Sequence, residues 1–307
     1  MFYLKKIINI LNERTNKWIE NFRWSNTYGV GRSFIAMSLF LTLISSDIFR
    51  LIKPLGSLNE VHNLSYISRI SIFYLLRDHI ILAKIICLII LGLVISGWRP
   101  RFTGFFHWWV AFSFSTSSLI LEGGDQIAEI LTLLLIPVTL ADHRRFHWQN
   151  NIKCYLSRSL VADTIVLFII SINFIISLQV AFIYFHASVG KYSSEEWANG
   201  TAIYYWFDNS IFGLSNFWRK IMFPLLKNPY LVTGMTWGTL LLEILLFMGI
   251  AISKSEPKRK NLLCLGIGFH FLIGLFFGLW TFFITMTGAL ILYLGPRDGF
   301  TKKYFKW

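Results

Sequence analysis

Eight apolar runs, at about 30–48, 80–97, 102–121, 126–141, 160–186, 231–252, 262–278 and 279–295, make up most of this 307-residue chain. Crossing the hydrocarbon core of a bilayer takes roughly 17–25 helical residues, which most of these runs supply. The fourth is short and Pro137 interrupts it, so its ends borrow flanking residues. The last two form one nearly uncharged stretch from Leu262 to Gly295. As one helix that stretch would be on the order of 50 Å long against a core of about 30 Å, so it has to fold back. Gly278-Leu279-Trp280 is the natural break. The pattern predicts an all-α fold, a polytopic transmembrane helix bundle of about eight spans. One membrane domain covers 30–295, between an amphipathic segment (1–29) and a basic tail (296–307).

Charge agrees with that reading. Only 15% of the residues are charged, against roughly a quarter in a soluble domain; a surface so poor in charge needs lipid as its solvent. The formal charge of +13 does not point to nucleic acid. Lys and Arg sit in short loops between apolar runs, where they set topology. With the N-terminus inside, the inner segments carry 19 of them and the outer segments 8. Both termini are therefore expected on the cytoplasmic side, with Trp24, Trp98 and Trp148 as interfacial aromatics at inner boundaries. No cleavable signal peptide is expected. Leu4, Ile7, Ile8, Leu11, Trp18, Ile19 and Phe22 fall on one helical stripe, with Lys5, Lys6, Arg14 and Lys17 beside or opposite it. This reads as a basic amphipathic helix, lying on the inner membrane surface or docked on the protein's own loops. Cys87, Cys154 and Cys264 show neither a CxxC nor a Cys/His metal spacing, so no disulfide framework and no metal site is expected.

Ionisable groups inside spans cost roughly 2.5–3.5 kcal/mol each on insertion scales, so each needs a partner or a task. Four places qualify. Glu122-Gly123-Gly124-Asp125-Gln126 opens the fourth span. Asp125, Gln126 and Glu129 there share a helical face, either complementing the helix dipole or lining an outward cavity. Gln179 and His186, seven residues apart, share a face near the outer end of the fifth span, and Lys191 follows. That lysine either snorkels to the interface or, desolvated, acts as a base. Glu243 and His270 lie deep in the sixth and seventh spans and are expected to pair. Arg32 follows Gly29 and Gly31, which permit close helix approach; the arginine is expected to anchor the span at the inner interface. Outside the spans, Ser193-Ser194-Glu195-Glu196 is a capping-box pattern expected to start a short helix through Trp197 and Tyr204.

Walker, dinucleotide-binding, GxSxG and HExxH signatures are absent from the sequence. No two matching halves carry paired, Gly/Pro-broken spans, the pattern of many carriers. Trp24-Ser25-Asn26-Thr27-Tyr28-Gly29 with Arg32, then Gly123-Gly124-Asp125-Gln126, Ala187-Ser188-Val189-Gly190-Lys191, and Phe269-His270 with Gly278-Leu279-Trp280 together resemble the HTTM domain. This is the membrane domain of vitamin K-dependent γ-carboxylases and many bacterial proteins, and the resemblance covers about 20–295. The Ala141–Trp148 loop and the basic tail look most like the sporulation-delaying protein B (SdpB) branch of that superfamily. The resemblance implies a bacterial plasma-membrane protein that helps mature a secreted antimicrobial peptide toxin from a pro-toxin, with a small SdpA-like partner. It also implies a quinone-like lipid cofactor for any carboxylase-like activity, with Lys191 at the position of the carboxylase base. Asp125 stands where the carboxylases carry a catalytic histidine, and their large lumenal domain has no counterpart here. Lys191, Asp125 and His186 are the expected catalytic residues.

Overall fold

In the computed structural model, which describes residues 13, 15–52, 66–150, 152–153, 159–253, 257–296 and 299–300, each apolar run carries one long helix. These are α1 (Thr27–Ser45), α2 (Ile80–Ile95), α3 (Pro100–Ser117), α4 (Gly123–Leu140) and α5 (Leu160–Tyr192). Three short helices follow, α6 (Glu195–Ala198), α7 (Ala202–Asp208) and α8 (Asn216–Leu226). Then come α9 (Pro229–Met248), α10 (Pro257–Phe277) and α11 (Trp280–Leu294). The protein is an all-α polytopic helix bundle. The only sheet among the described residues pairs β1 (Arg23–Trp24) with β2 (Ile152–Lys153), antiparallel, with Arg23 opposite Lys153.

Among the described residues six helices are long and apolar enough to cross a membrane: α1, α2 with the turn before it, α4, α5, α9 with the turn after it, and α10. Helix α2 shows why lipid is their solvent. Ala83, Cys87, Leu91 and Val94 make a buried stripe, yet the opposite face exposes Ile81, Leu82, Ile85, Ile89 and Leu93. A helix in water would carry polar residues there. At 15 residues α11 extends only about 22 Å, and it forms the centre of the bundle. It packs on α1, α4, α5 and α10, and it buries Met286 through Ile291 without interruption.

Small residues allow this centre to close. A Cβ on Gly31 would meet the Gly288 carbonyl oxygen at 2.9 Å, and one on Gly288 would meet that of Gly31 at 2.7 Å. The expected helix approach at Gly31 is therefore to α11, whereas Gly29 faces the His147 ring of the loop between α4 and α5. The break between the last two helices falls at Gly278-Leu279, where Gly278 has φ of +73°, a conformation that favours glycine.

Two expectations are corrected. The helix expected to run through Trp197 and Tyr204 is two helices, α6 and α7, parted at Gly200 (φ +77°), where a Cβ would lie 2.8 Å from Thr233 of α9. Trp98 and Trp148 are exposed as interfacial aromatics should be, but Trp24 is buried. It lies beneath the Arg144 guanidinium, 5.2 Å from its ring centroid. In the amphipathic segment residues 15–20 are helical and Trp18 is exposed, while Phe22 packs edge-on against Trp24 at 5.5 Å. Leu4, Ile7, Ile8, Leu11 and the tail after residue 300 lie outside the described residues, as does Cys154.

Candidate functional site

Helices α5 and α9 pack against each other, and their facing surfaces bring four polar side chains together. Lys191, in the last turn of α5, donates to Glu243 Oε1 of α9 at 2.5 Å. One turn earlier Ser188 donates to the Leu240 carbonyl, so the same two faces stay in register. Tyr184, seven residues before Lys191 and hence nearly above it on one helix face, contacts Nε2 of His270 in α10 at 2.9 Å. Because Tyr184 and Lys191 share one face of α5, the two pairs lie beside each other along it. Two atoms in it have no hydrogen-bond partner: Glu243 Oε2 and His270 Nδ1. The Lys191 ammonium also lies 5.5 Å from the Trp197 ring centroid of α6, which covers it from the loop side.

Lys191 does not snorkel to the interface. Its side chain is only 29% exposed and turns inward onto a carboxylate that is 5% exposed, rather than snorkelling outward. A buried carboxylate within reach outweighs the interface because a lone charge among apolar helices is expensive. The expected Glu243–His270 pair is replaced by two others, Lys191–Glu243 and Tyr184–His270. At 100° per residue, His186 points about 140° away from Lys191. It is exposed on the outside of the bundle beside the rings of Phe182 and Phe185. Gln179 is half-buried on that same divergent side. Neither joins the cluster.

Asp125 is buried at the start of α4, at the same end of the bundle as Lys191 and the Gly278 turn. Its Oδ2 accepts the Glu122 backbone N–H at 3.0 Å, a helix-capping task, and Glu122 Oε2 accepts from Thr281 Oγ1 at 3.0 Å. Phe282 stands between this turn and the Lys191 cluster. A Cβ on Gly124 would meet Phe282 at 3.3 Å, and the Phe282 ring centroid lies 5.4 Å from that of His270. Glu129 is half-buried and Gln126 exposed, so the three residues expected to share a face are split by burial.

A second polar cluster occupies the opposite end, which carries Thr27 and Pro296. Arg32 is fully buried and donates to Thr103 Oγ1 of α3 at 2.9 Å, so it does not anchor an interface. Asp142 and Arg144, from the loop after α4, form a buried ion pair at 2.8 Å, and the Tyr28 hydroxyl donates to Asp142. His147 of that loop is buried against Ser33 Oγ at 3.1 Å. Sequence reasoning did not single out Asp142, Arg144 or His147 as site residues, because nothing local to the loop shows that it folds back under α1.

Burial, with the Arg32 and Arg144 charges nearby, keeps His147 neutral, its pKa pushed down to about 2. An unfolded histidine titrates near 6.5, so on acidification the unfolded chain takes up this proton first and stability falls below that pH. By pH 5 the loss is about 2 kcal/mol. Thermal melts at pH 7.5 and pH 5 should show His147→Gln losing less stability on acidification than the parent. Equal losses would contradict the assignment.

No protein-family model matches the chain. No solved structure matches it either. Two proteins of Bacillus subtilis strain 168 are similar to it over nearly its full length. The sporulation-delaying protein SdpB is 38% identical over 278 residues, covering 89% of this chain and 82% of its own. The uncharacterized protein YitO is 34% identical over 291 residues, covering 94% of this chain and 91% of its own.

Proposed function

Since the chain belongs to the SdpB family, we propose that it is a multi-pass bacterial plasma-membrane protein needed to produce a secreted antimicrobial peptide of the sporulation-delaying type. Its termini face the cytoplasm, following the excess of Lys and Arg in the segments at that end. The Lys191–Glu243 and Tyr184–His270 pairs then lie in the outward-facing half of the bundle, where they act on the pro-toxin together with a small SdpA-like partner. The observation that carries this reading is the pair of unpartnered atoms, Glu243 Oε2 and His270 Nδ1, inside a buried ionic cluster. A cluster built only to hold helices together gains nothing by leaving them unpaired.

The test is mass spectrometry of the secreted peptide from cells carrying the parent chain, Lys191→Met, or the double variant Lys191→Met/Glu243→Leu. Loss of the mature peptide with normal amounts of membrane-inserted protein supports the site. Unchanged peptide from the double variant overturns it.

A second reading, carboxylase-like chemistry of the HTTM type on a lipid-soluble quinone, is favoured by one contact. Glu243 Oε1 lies 2.5 Å from Lys191 Nζ, so a lysine serving as base would have a carboxylate partner within direct reach. Quinone analysis of lipid extracts from the purified protein tests this, and absence of a stoichiometric quinone excludes it.

A further inference from the structure

Among the described residues, the end of the bundle opposite Lys191 holds a positive charge with no counter-charge. Arg32 is fully buried, and its one hydrogen bond, from Nη2, goes to the neutral hydroxyl of Thr103. Its Nη1 has no partner. His107, one turn after Thr103 on α3, is buried with Nε2 unpartnered, and His147 is buried with Nδ1 unpartnered. Arg32 reaches Thr103, one turn before His107 on α3, and His147 contacts Ser33, the residue after Arg32 on α1, so the three groups from α1, α3 and the loop lie in one region. The nearby carboxylate is taken: Asp142 accepts from the backbone N–H and guanidinium of Arg144 and from Tyr28. Among the described residues nothing balances Arg32.

We propose that the Arg32–His107–His147 cluster binds one small monovalent anion, of the size and charge of chloride, inside the bundle. Water would satisfy the three nitrogens but leave the guanidinium charge uncompensated in a low-dielectric interior. An anion satisfies both, accepting from Nη1 and from the ring N–H groups of the tautomers it selects. Complete burial of all three residues restricts the site to a small ion. A cleft of about 150 Å³ lies at this end, lined by Ser25, Thr27, Tyr28 and Asn150, and the Tyr28 ring centroid is 6.3 Å from that of His147. Bound there, the ion ties α1 to α3 and to the loop.

The experiment uses the full chain purified in detergent. Chloride replaces gluconate, which is too bulky to enter, at constant ionic strength. The melting temperature of the parent should rise saturably, by roughly 5 °C for an ion held well above its dissociation constant. Arg32→Gln and His107→Leu should each abolish that rise. If Arg32→Gln fails to fold, bromide soaked into crystals of the parent supplies the answer, with an anomalous peak within hydrogen-bonding distance of Arg32 Nη1. A parent melt indifferent to chloride, an equal rise in the folded variants, or bromide bound everywhere but at this cluster would overturn the proposal.

Discussion

Replacing Lys191 with methionine is expected to destabilise the protein by about 3 kcal/mol, the low end for breaking a buried ion pair. Glu243 stays behind, 5% exposed and without its cation. Glu243→Leu should cost less, about 1 kcal/mol, because Lys191 is 29% exposed and its long stem lets the ammonium turn toward water. The double variant should recover most of the loss, since two apolar side chains of similar volume avoid both desolvation penalties. Thermal melts in detergent give the three numbers. The asymmetry is the discriminating feature: equal costs for the two single variants would mean that Lys191 is as deeply trapped as its partner. The double variant also separates fold from function, because a stable protein that no longer supports peptide production locates the defect in the site's chemistry.

Asp142→Ala should be worse still, by about 3–5 kcal/mol. Both partners here are buried, Arg144 with a side chain 3% exposed and Asp142 with none. Without the carboxylate, Nε and Nη2 of Arg144 lose their acceptors and the Tyr28 hydroxyl loses its own. Arg144→Lys should be only a partial substitute, costing about 2 kcal/mol. An ammonium cannot serve Asp142 and the carbonyls of Ser25 and Gln149 at once, nor lie flat over Trp24 and Tyr28 as the guanidinium does. Melts of the two variants read this ranking directly. Arg144→Lys as damaging as Asp142→Ala would show that fork geometry, rather than charge balance, dominates at this end.

Much of the candidate site was legible as a set of residues but not as a set of contacts. Lys191, Glu243 and His270 stand out because charge in an apolar span is rare, yet rarity points to a Glu243–His270 pair that the structure does not contain. Tyr184 carries only a weak signal, its seven-residue spacing from Lys191, which places it on the same helix face. The same periodicity excludes His186, which shares a face with Gln179 rather than with Lys191. For Asp125 the sequence reading did not include the observed capping contact with the Glu122 backbone N–H, although that contact joins residues only three apart.

What the amino-acid order determined alone is therefore everything governed by local spacing and by transfer from water to lipid. The positions of the long helices, the fold-back at Gly278 and the apolar outer face of α2 all belong there, because a run's length and the freedom of a glycine are properties of neighbouring residues. Tertiary structure alone decided which polar groups meet. Lys191 finds Glu243 across 52 positions and Tyr28 finds Asp142 across 114. Such encounters depend on how each helix is rotated about its axis and shifted along its neighbour, and on a loop folding back beneath α1. Those degrees of freedom are set by the packing of the whole bundle around α11, where small residues such as Gly31 and Gly288 allow the backbones to touch.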